Sequence, residues 1–235
     1  MANQSSFIAE AKQALAAFTL QPLPLDQSLG LIETKGGSIR LECYTADKFE
    51  KIVLCTIEIE ATSLVEASVL AWPEAGYDLP ILWCNLTRVP QVMNVAVFDF
   101  LPIMDPVLQP EQTATSIEGL RTLKANTLTL FGDTIIDKAV MLPSRAVYAL
   151  SPYITVVNLS EAGLVHLPAV LGNYLRAYHD LWKQASVVED PIDRDHRTRR
   201  LAAIRTLMKA NDPGFPFMVD VFGQDATCRV FDAVF

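Results

Sequence analysis

Positive charge is scarce in this chain. Lys and Arg total 19 against 27 Asp and Glu, a formal net charge of −8 over 235 residues. Non-specific binding to nucleic acid needs clustered cations against phosphate, so that class of function is excluded. Histidine is rarer still. His166, His179 and His196 are the only three, far apart and in no HExxH or HxxE pattern. A histidine-based metal centre is therefore not expected. The four cysteines, Cys43, Cys55, Cys84 and Cys228, form no CxxC pair and no zinc-ligand spacing with a histidine. They read as small hydrophobes of a reducing compartment. Neither GxGxxG nor a P-loop signature occurs, so no dinucleotide or nucleotide cradle is legible. No apolar run reaches the ~20 residues that cross a bilayer. The opening residues, Met1-Ala2-Asn3-Gln4-Ser5-Ser6, carry no basic n-region. The expected address is the cytoplasm.

What the chain does have is apolar substance. Hydrophobic residues make up 51% and charged residues 20%, which excludes a disordered chain. No repeat, low-complexity tract or linker interrupts it, so residues 1–235 read as one domain. Residues 6–18 place Phe7, Ile8, Ala11, Leu15 and Phe18 at helical spacing behind a Ser N-cap. Strand patterns follow at Leu29–Thr34, Ser38–Tyr44, Lys51–Glu60, Ser63–Ala71, Ile81–Arg88 and Gln91–Leu101, with Gly36-Gly37 as a hairpin turn. Val147–Leu159 reads as a further strand pair or one long strand. Helices are expected at Thr113–Lys124, Leu167–Ala185 and Arg197–Ala210. Strands in the middle with helices before and after predict an α+β domain, helices packed on an antiparallel sheet.

One anomaly stands out. In Val95-Ala96-Val97-Phe98-Asp99-Phe100-Leu101-Pro102 a single carboxylate interrupts a hydrophobic strand. Burying an ionised carboxylate is costly, so such a group tends to hold its proton, and a protonated acid in an apolar cleft is a proton donor. A strand-end Asp bonded to backbone N–H groups or to an arginine satisfies the same pattern. Glu74 and Asp78 lie in a proline-punctuated loop, Trp72 to Pro80, and Asn85 lies on the apolar strand after it. If buried, Asn85 requires hydrogen-bond partners. Asn211-Asp212-Pro213-Gly214 ends a helix. Arg194, Arg197, Arg199, Arg200, Arg205 and Lys209 form a basic run in an acidic protein. That run is either a solvated face paired with Asp193 and Asp195 or a dock for an acidic partner.

These segments occur in an order that resembles the ferredoxin-dependent bilin reductases. The resemblance rests on Pro22-Leu23-Pro24, on Cys43 to Lys51 (CYTADKFEK) and on Leu70 to Glu74 followed by Tyr77-Asp78-Leu79-Pro80. It continues through Val95 to Pro102 (VAVFDFLP), Tyr174 to Leu181, Asn211-Asp212-Pro213, Val221-Phe222-Gly223 and Val230-Phe231-Asp232. Each motif is weak alone; their order over most of the chain is specific. The resemblance implies an α/β/α three-layer sandwich with a central antiparallel sheet. It implies reduction of biliverdin IXα or a dihydrobiliverdin, with no bound cofactor and electrons from a reduced 2Fe–2S ferredoxin that docks transiently. Asp99 then corresponds to the family's central sheet aspartate, and Asp212, with Asn211 beside it, to its C-terminal aspartate. Asn85 corresponds to a position that is His, Asn or Asp in different branches, and Glu74 to a glutamate of the phycocyanobilin-forming branch. The substrate's propionates need anchors, with Arg145, Arg176, Arg197 and Arg200 as candidates.

The ferredoxin dock implied is Arg194–Lys209, with Lys48 and Lys51 second. A 15,16-dihydrobiliverdin-forming enzyme is the favoured product class. A non-catalytic tetrapyrrole-binding protein and a reductase of a chlorophyll catabolite are the alternatives. A monomer is expected, with a second bilin reductase or a heme oxygenase as further partners, no nucleic acid and no membrane. A plastid stroma is the alternative address if the chain is a processed form.

Overall fold

In a computed structural model, which describes residues 2–104, 109–137 and 145–235, the strand-forming middle of the chain builds an antiparallel sheet. Its strands are β1 (Gln21–Pro22), β2 (Leu31–Thr34), β3 (Gly37–Ala46), β4 (Phe49–Ile59), β5 (Leu64–Pro73), β6 (Ile81–Val89), β7 (Met93–Leu101), β8 (Ile135–Asp137) and β9 (Thr155–Leu159). Their order is β1-β3-β4-β5-β6-β7-β9-β8, and β2 also pairs with β3. Helices are α1 (Ala2–Leu15), α2 (Gln27–Gly30), α3 (Pro110–Phe131), α4 (Leu167–Gln184), α5 (Pro191–Ala210), α6 (Phe215–Phe222) and α7 (Gln224–Val234). Gly37 has a specific reason to be glycine: a Cβ there would lie 2.1 Å from the Glu58 carbonyl oxygen on β4.

Two helical layers cover the sheet. On one face α1, α3 and α4 bring Phe7, Leu120, Tyr174 and Tyr178 onto Leu54, Val69, Cys84 and Phe98. On the other, Leu201 and Ile204 of α5, Met218 of α6 and Phe231 of α7 pack on Val53, Leu70, Trp72 and Leu101. The result is the α/β/α sandwich of an α+β fold. β5, β6 and β7 are covered on both sides, which is why Val95–Leu101 reads as a continuous apolar run rather than a clean alternation. Polar tips of the buried aromatics are satisfied. Tyr178 Oη donates to the Pro80 carbonyl at 2.7 Å, and Trp72 Nε1 to the Val234 carbonyl at 2.9 Å.

Four expectations need correction. The first helix begins at Ala2, so the serines lie inside it rather than capping residues 6–18. α5 begins at Pro191, six residues before Arg197, because Asp190 caps it by accepting the Ile192 N–H at 2.8 Å and Pro191 fits the first turn. Of Val147–Leu159 only Thr155–Leu159 is strand; Ala146–Ala149 is a 3-10 turn. α6 and α7 have no counterpart in the sequence reading. α6 is apolar nearly all round, so no 3.6-residue stripe announces it, and Gly223 at φ +84° separates it from α7.

Candidate active site

Strand alternation decides which side chains share a face. In the register, Leu70, Trp83 and Asp99 stand in one row across β5, β6 and β7, and Ser68, Asn85 and Val97 form the next. Glu66 and Thr87 pair one row further on. Leu70, Trp72, Trp83 and Leu101 belong to the core under α5, α6 and α7. Asp99, Asn85 and Glu66 therefore all face that layer. The turn between α5 and α6 delivers Asp212 to the same side, where its charge acts on Glu66.

Asp99 is 0% exposed. Its Oδ1 accepts the Phe100 N–H at 2.9 Å and the Ser151 hydroxyl; its Oδ2 accepts the Ser151 N–H at 2.9 Å. Burial dominates these donors, and its pKa is pushed up from 3.8 to about 6. The same carboxyl is thus both hydrogen-bonded to backbone and proton-retaining, so the two sequence readings of Asp99 are not exclusive.

Asn85 is 8% exposed, and its partners are defined. Its Nδ2 donates to Glu66 Oε1 at 2.9 Å, and Thr87 Oγ1 donates to its Oδ1 at 3.1 Å. Burial, with the Asp212 charge adding to it, raises Glu66 to about 7. Asp212 is raised by burial against the lowering effect of the Gly214 N–H, which its Oδ1 accepts at 2.7 Å. Asn211 closes α5, its Nδ2 donating to the Leu207 carbonyl at 2.7 Å. Asn211 and Arg145 both line an open hollow of about 450 Å³ along α5.

The remaining candidates lie elsewhere. Glu74 is exposed in the turn after β5, four residues beyond the row of Asp99. Arg176 is exposed on α4, in the opposite layer, and bonds Asn173 at 2.6 Å. Arg197, offered as a propionate anchor, is 2% exposed and turned inward. Its guanidinium holds the carbonyls of Tyr77 and Leu79 and the Asp78 carboxylate, so it clamps the loop before β6. Arg200 is partly buried, its Nε donating to the Pro102 carbonyl at 3.2 Å beside the end of β7. Lys48 and Lys51 are likewise engaged. Lys48 Nζ donates to the Trp182 and Ala185 carbonyls at the end of α4, and Lys51 Nζ to the Ala233 carbonyl near the end of α7. Both ammonium groups keep their charge while tethered to these carbonyls.

A comparison with protein families identifies the chain. Residues 8–234 match the model of the ferredoxin-dependent bilin reductases. The chain belongs to that family. As a ferredoxin-dependent bilin reductase, it takes its electrons from ferredoxin and acts on a linear tetrapyrrole. Its fold is similar to that of phytochromobilin synthase from tomato, solved in complex with biliverdin. The TM-score is 0.81 at 20% identity, over 95% of this chain and 79% of that one. Among the described residues, no helix is long and apolar enough to cross a membrane, and no three His, Cys, Asp or Glu side chains are grouped to hold a metal.

Sequence reasoning missed two residues that the structure joins to the candidates, Ser151 to Asp99 and Glu66 to Asn85. Ser151 had no signal, since it reaches Asp99 from 52 positions away. Glu66 had one: it is spaced by twos from Ser68, Leu70 and Trp72, so it is an acid on a face that is otherwise being buried.

Proposed function

We propose that this protein reduces biliverdin IXα or a dihydrobiliverdin by sequential one-electron transfers from a reduced 2Fe–2S ferredoxin, each balanced by a proton from a buried carboxyl. The observation that carries the reading is Asp99: a carboxyl with no exposure and a pKa raised to about 6, on the sheet face that packs under α5, α6 and α7. Each added electron makes the tetrapyrrole more basic. An acid held near its working pH can then donate before the next electron arrives. Asp99 serves the sheet face of the bilin and Asp212 the helix face. Of the four candidate anchors, Arg145, which lines the hollow beside Asn211, and Arg200, beside the end of β7, lie on the α5 side of the sheet. 15,16-Dihydrobiliverdin is the product class proposed.

Anaerobic incubation with biliverdin IXα and reduced ferredoxin tests this. The expected result is loss of the long-wavelength bilin band and a blue-shifted product, whose chromatographic retention identifies the reduced bond. A stable red-shifted complex that no pre-reduced bilin converts would instead make the protein a bilin binder.

Ferredoxin is acidic, so docking on this acidic enzyme needs a local cationic face. α5 supplies it, with Arg194 and Arg199 exposed and Arg205 partly so. Their charges are partly compensated: Arg199 pairs with Asp195, Lys209 with Asp232, and Arg205 with Glu50 at 2.5 Å. The complex should therefore be weak and salt-sensitive, its KM for ferredoxin rising severalfold between low and roughly physiological ionic strength. A KM independent of salt would remove α5 as the dock.

A further inference from the structure

Ser151 lies outside the residues that the resemblance maps, yet the structure closes it on Asp99. It is buried and opens a turn. Pro152 fixes the second position of that turn, and the Ile154 N–H donates to the Ser151 carbonyl at 3.3 Å. β9 begins next at Thr155, paired with Phe98 of β7, which delivers the turn beside Asp99. There the Ser151 hydroxyl donates to Asp99 Oδ1 and the Ser151 N–H to Oδ2 at 2.9 Å. Oδ1 also accepts the Phe100 N–H at 2.9 Å, so both of its lone pairs are taken, while Oδ2 has one to spare. A proton on Oδ1 would meet two donors; on Oδ2 it finds an open lone pair. The hydroxyl is itself aimed: the Tyr153 N–H donates to Ser151 Oγ at 3.2 Å, which leaves the hydroxyl hydrogen for Asp99. Of the titratable groups around Asp99, Lys124 of α3 favours the carboxylate, more weakly than the hydrogen bonds do. Burial keeps Cys84 of β6 and Tyr174 of α4 neutral. Glu66 of β5 and Asp212 of the α5–α6 turn share the sheet face, and Arg200 of α5 holds the Pro102 carbonyl beyond the end of β7.

We propose, resting on the function above, that Ser151 is a positioning residue for proton transfer: its hydroxyl and N–H fix the Asp99 carboxyl so that the transferable proton sits on Oδ2, and the hydroxyl stabilises the carboxylate that forms as this proton leaves. In that step the Oδ2–H bond breaks and its electron pair stays on oxygen. A C–H or N–H bond forms on a bilin that has taken one electron from reduced ferredoxin. The carboxylate then regains a proton from water. Burial alone would hold the proton more tightly; the Ser151 hydroxyl donates to the anion and so favours release. With it, the buried acid rests at about 6 and gives up its proton near neutral pH.

Ser151→Ala in the full chain removes the hydroxyl and keeps the N–H. Infrared difference spectra of the bilin-free protein should show a protonated-carboxyl band of Asp99, assigned by its absence in Asp99→Asn. In Ser151→Ala this band should titrate about one pH unit higher than in the wild type. Biliverdin should bind within about threefold of wild type. In a single turnover with biliverdin IXα and reduced ferredoxin, decay of the one-electron-reduced bilin should slow about three- to tenfold at the acid end of the pH profile, where Asp99 is protonated in both proteins. The alkaline fall of that profile should move up by the same unit as the band. Ser151→Thr, which keeps both donors, should return band and profile to their wild-type positions. A band and profile unmoved in Ser151→Ala would overturn the proposal even where turnover falls, because a serine that only fills space affects stability and not the titration of Asp99. A threonine variant displaced as far as the alanine one would overturn it too. A shifted band in a protein whose wild type never reduces a bilin would sink the proposed function and the transfer step with it, while the band would still attest the hold of Ser151 on the Asp99 carboxyl.

Discussion

Asp99→Asn should bind biliverdin with nearly unchanged affinity while turnover falls by about 10²–10⁴-fold, the usual range for a lost general acid. The variant should accumulate a one-electron-reduced bilin, visible as an organic radical by electron paramagnetic resonance. The substitution is close to isosteric, and its structural cost can be bounded. Asn at this position can still accept from Phe100 N–H and the Ser151 hydroxyl, but its amide nitrogen would meet the Ser151 N–H. An unmade buried hydrogen bond costs about 1–3 kcal/mol. Against that, a carboxyl raised from 3.8 to about 6 carries a penalty of roughly 3 kcal/mol when ionised, which Asn does not have. The sign follows from proton uptake: the folded state binds the Asp99 proton more tightly than the unfolded chain, so this group withdraws stability as pH rises from about 4 to about 6. The two terms nearly cancel, so the variant should stay folded and its inactivity should be chemical. In the wild type, the donor works only while protonated. Decay of the radical in a single turnover should therefore slow as pH rises through the apparent pKa of Asp99. An Asp99→Asn protein with undiminished turnover would mean that the first proton comes from elsewhere.

How far the sequence discloses all this depends on whether the signal is local. The sheet and α4 were legible because their patterns are periodic: Cys55, Ile57 and Ile59 alternate, and Tyr174 and Tyr178 stand one turn apart. Asp99 was legible because a lone carboxylate among seven neighbours without charge is anomalous at any alignment. α6 was not, since it lacks a polar face from which a period could be read, whereas α7 does show a helical stripe at Thr227, Val230, Phe231 and Val234. Site partners were hidden where they come from distant positions. Ser151 and Asp99 meet through the β7–β9 pairing, which no short-range pattern announces. The arginines show the limit from the other side. A run of cations predicts a charged face of α5, but not that Arg197 points inward while Arg194 and Arg199, on the same helix, face water. Helical phase settles that: Arg197 continues the buried stripe of Leu201, Ile204 and Met208.

Arg197 therefore supports a second prediction that separates an anchor from a clamp. Its guanidinium bridges the Tyr77 and Leu79 carbonyls with the Asp78 carboxylate, 3.2 Å away. The same loop is tied on its other side by Asp78 N–H to the Ser186 carbonyl at 3.0 Å and Val188 N–H to the Gly76 carbonyl at 2.8 Å. β6, which carries Asn85, starts directly after it at Ile81. In Arg197→Met the stem is replaced, but the carbonyls lose their donors. The Asp78 side chain is 47% exposed, so the ion pair itself contributes little. The unsatisfied carbonyls dominate; relief from burying the cation offsets part of their cost and leaves about 3 kcal/mol. For a chain of this size that is a fall in Tm of about 6–12 °C. Arg197→Lys should recover little of it, because one ammonium cannot span the fork that the guanidinium fills. Biliverdin affinity, measured well below the lowered Tm, should stay within a few-fold of wild type. An anchor would give the reverse pattern: unchanged melting and a bilin Kd raised by about tenfold or more, the loss of a charge-assisted pair with a propionate. Loosening this clamp should also show in hydrogen exchange, with faster exchange of the Asp78 and Val188 amides and no change at Asp99, whose strand is held by β6 and β9 on either side.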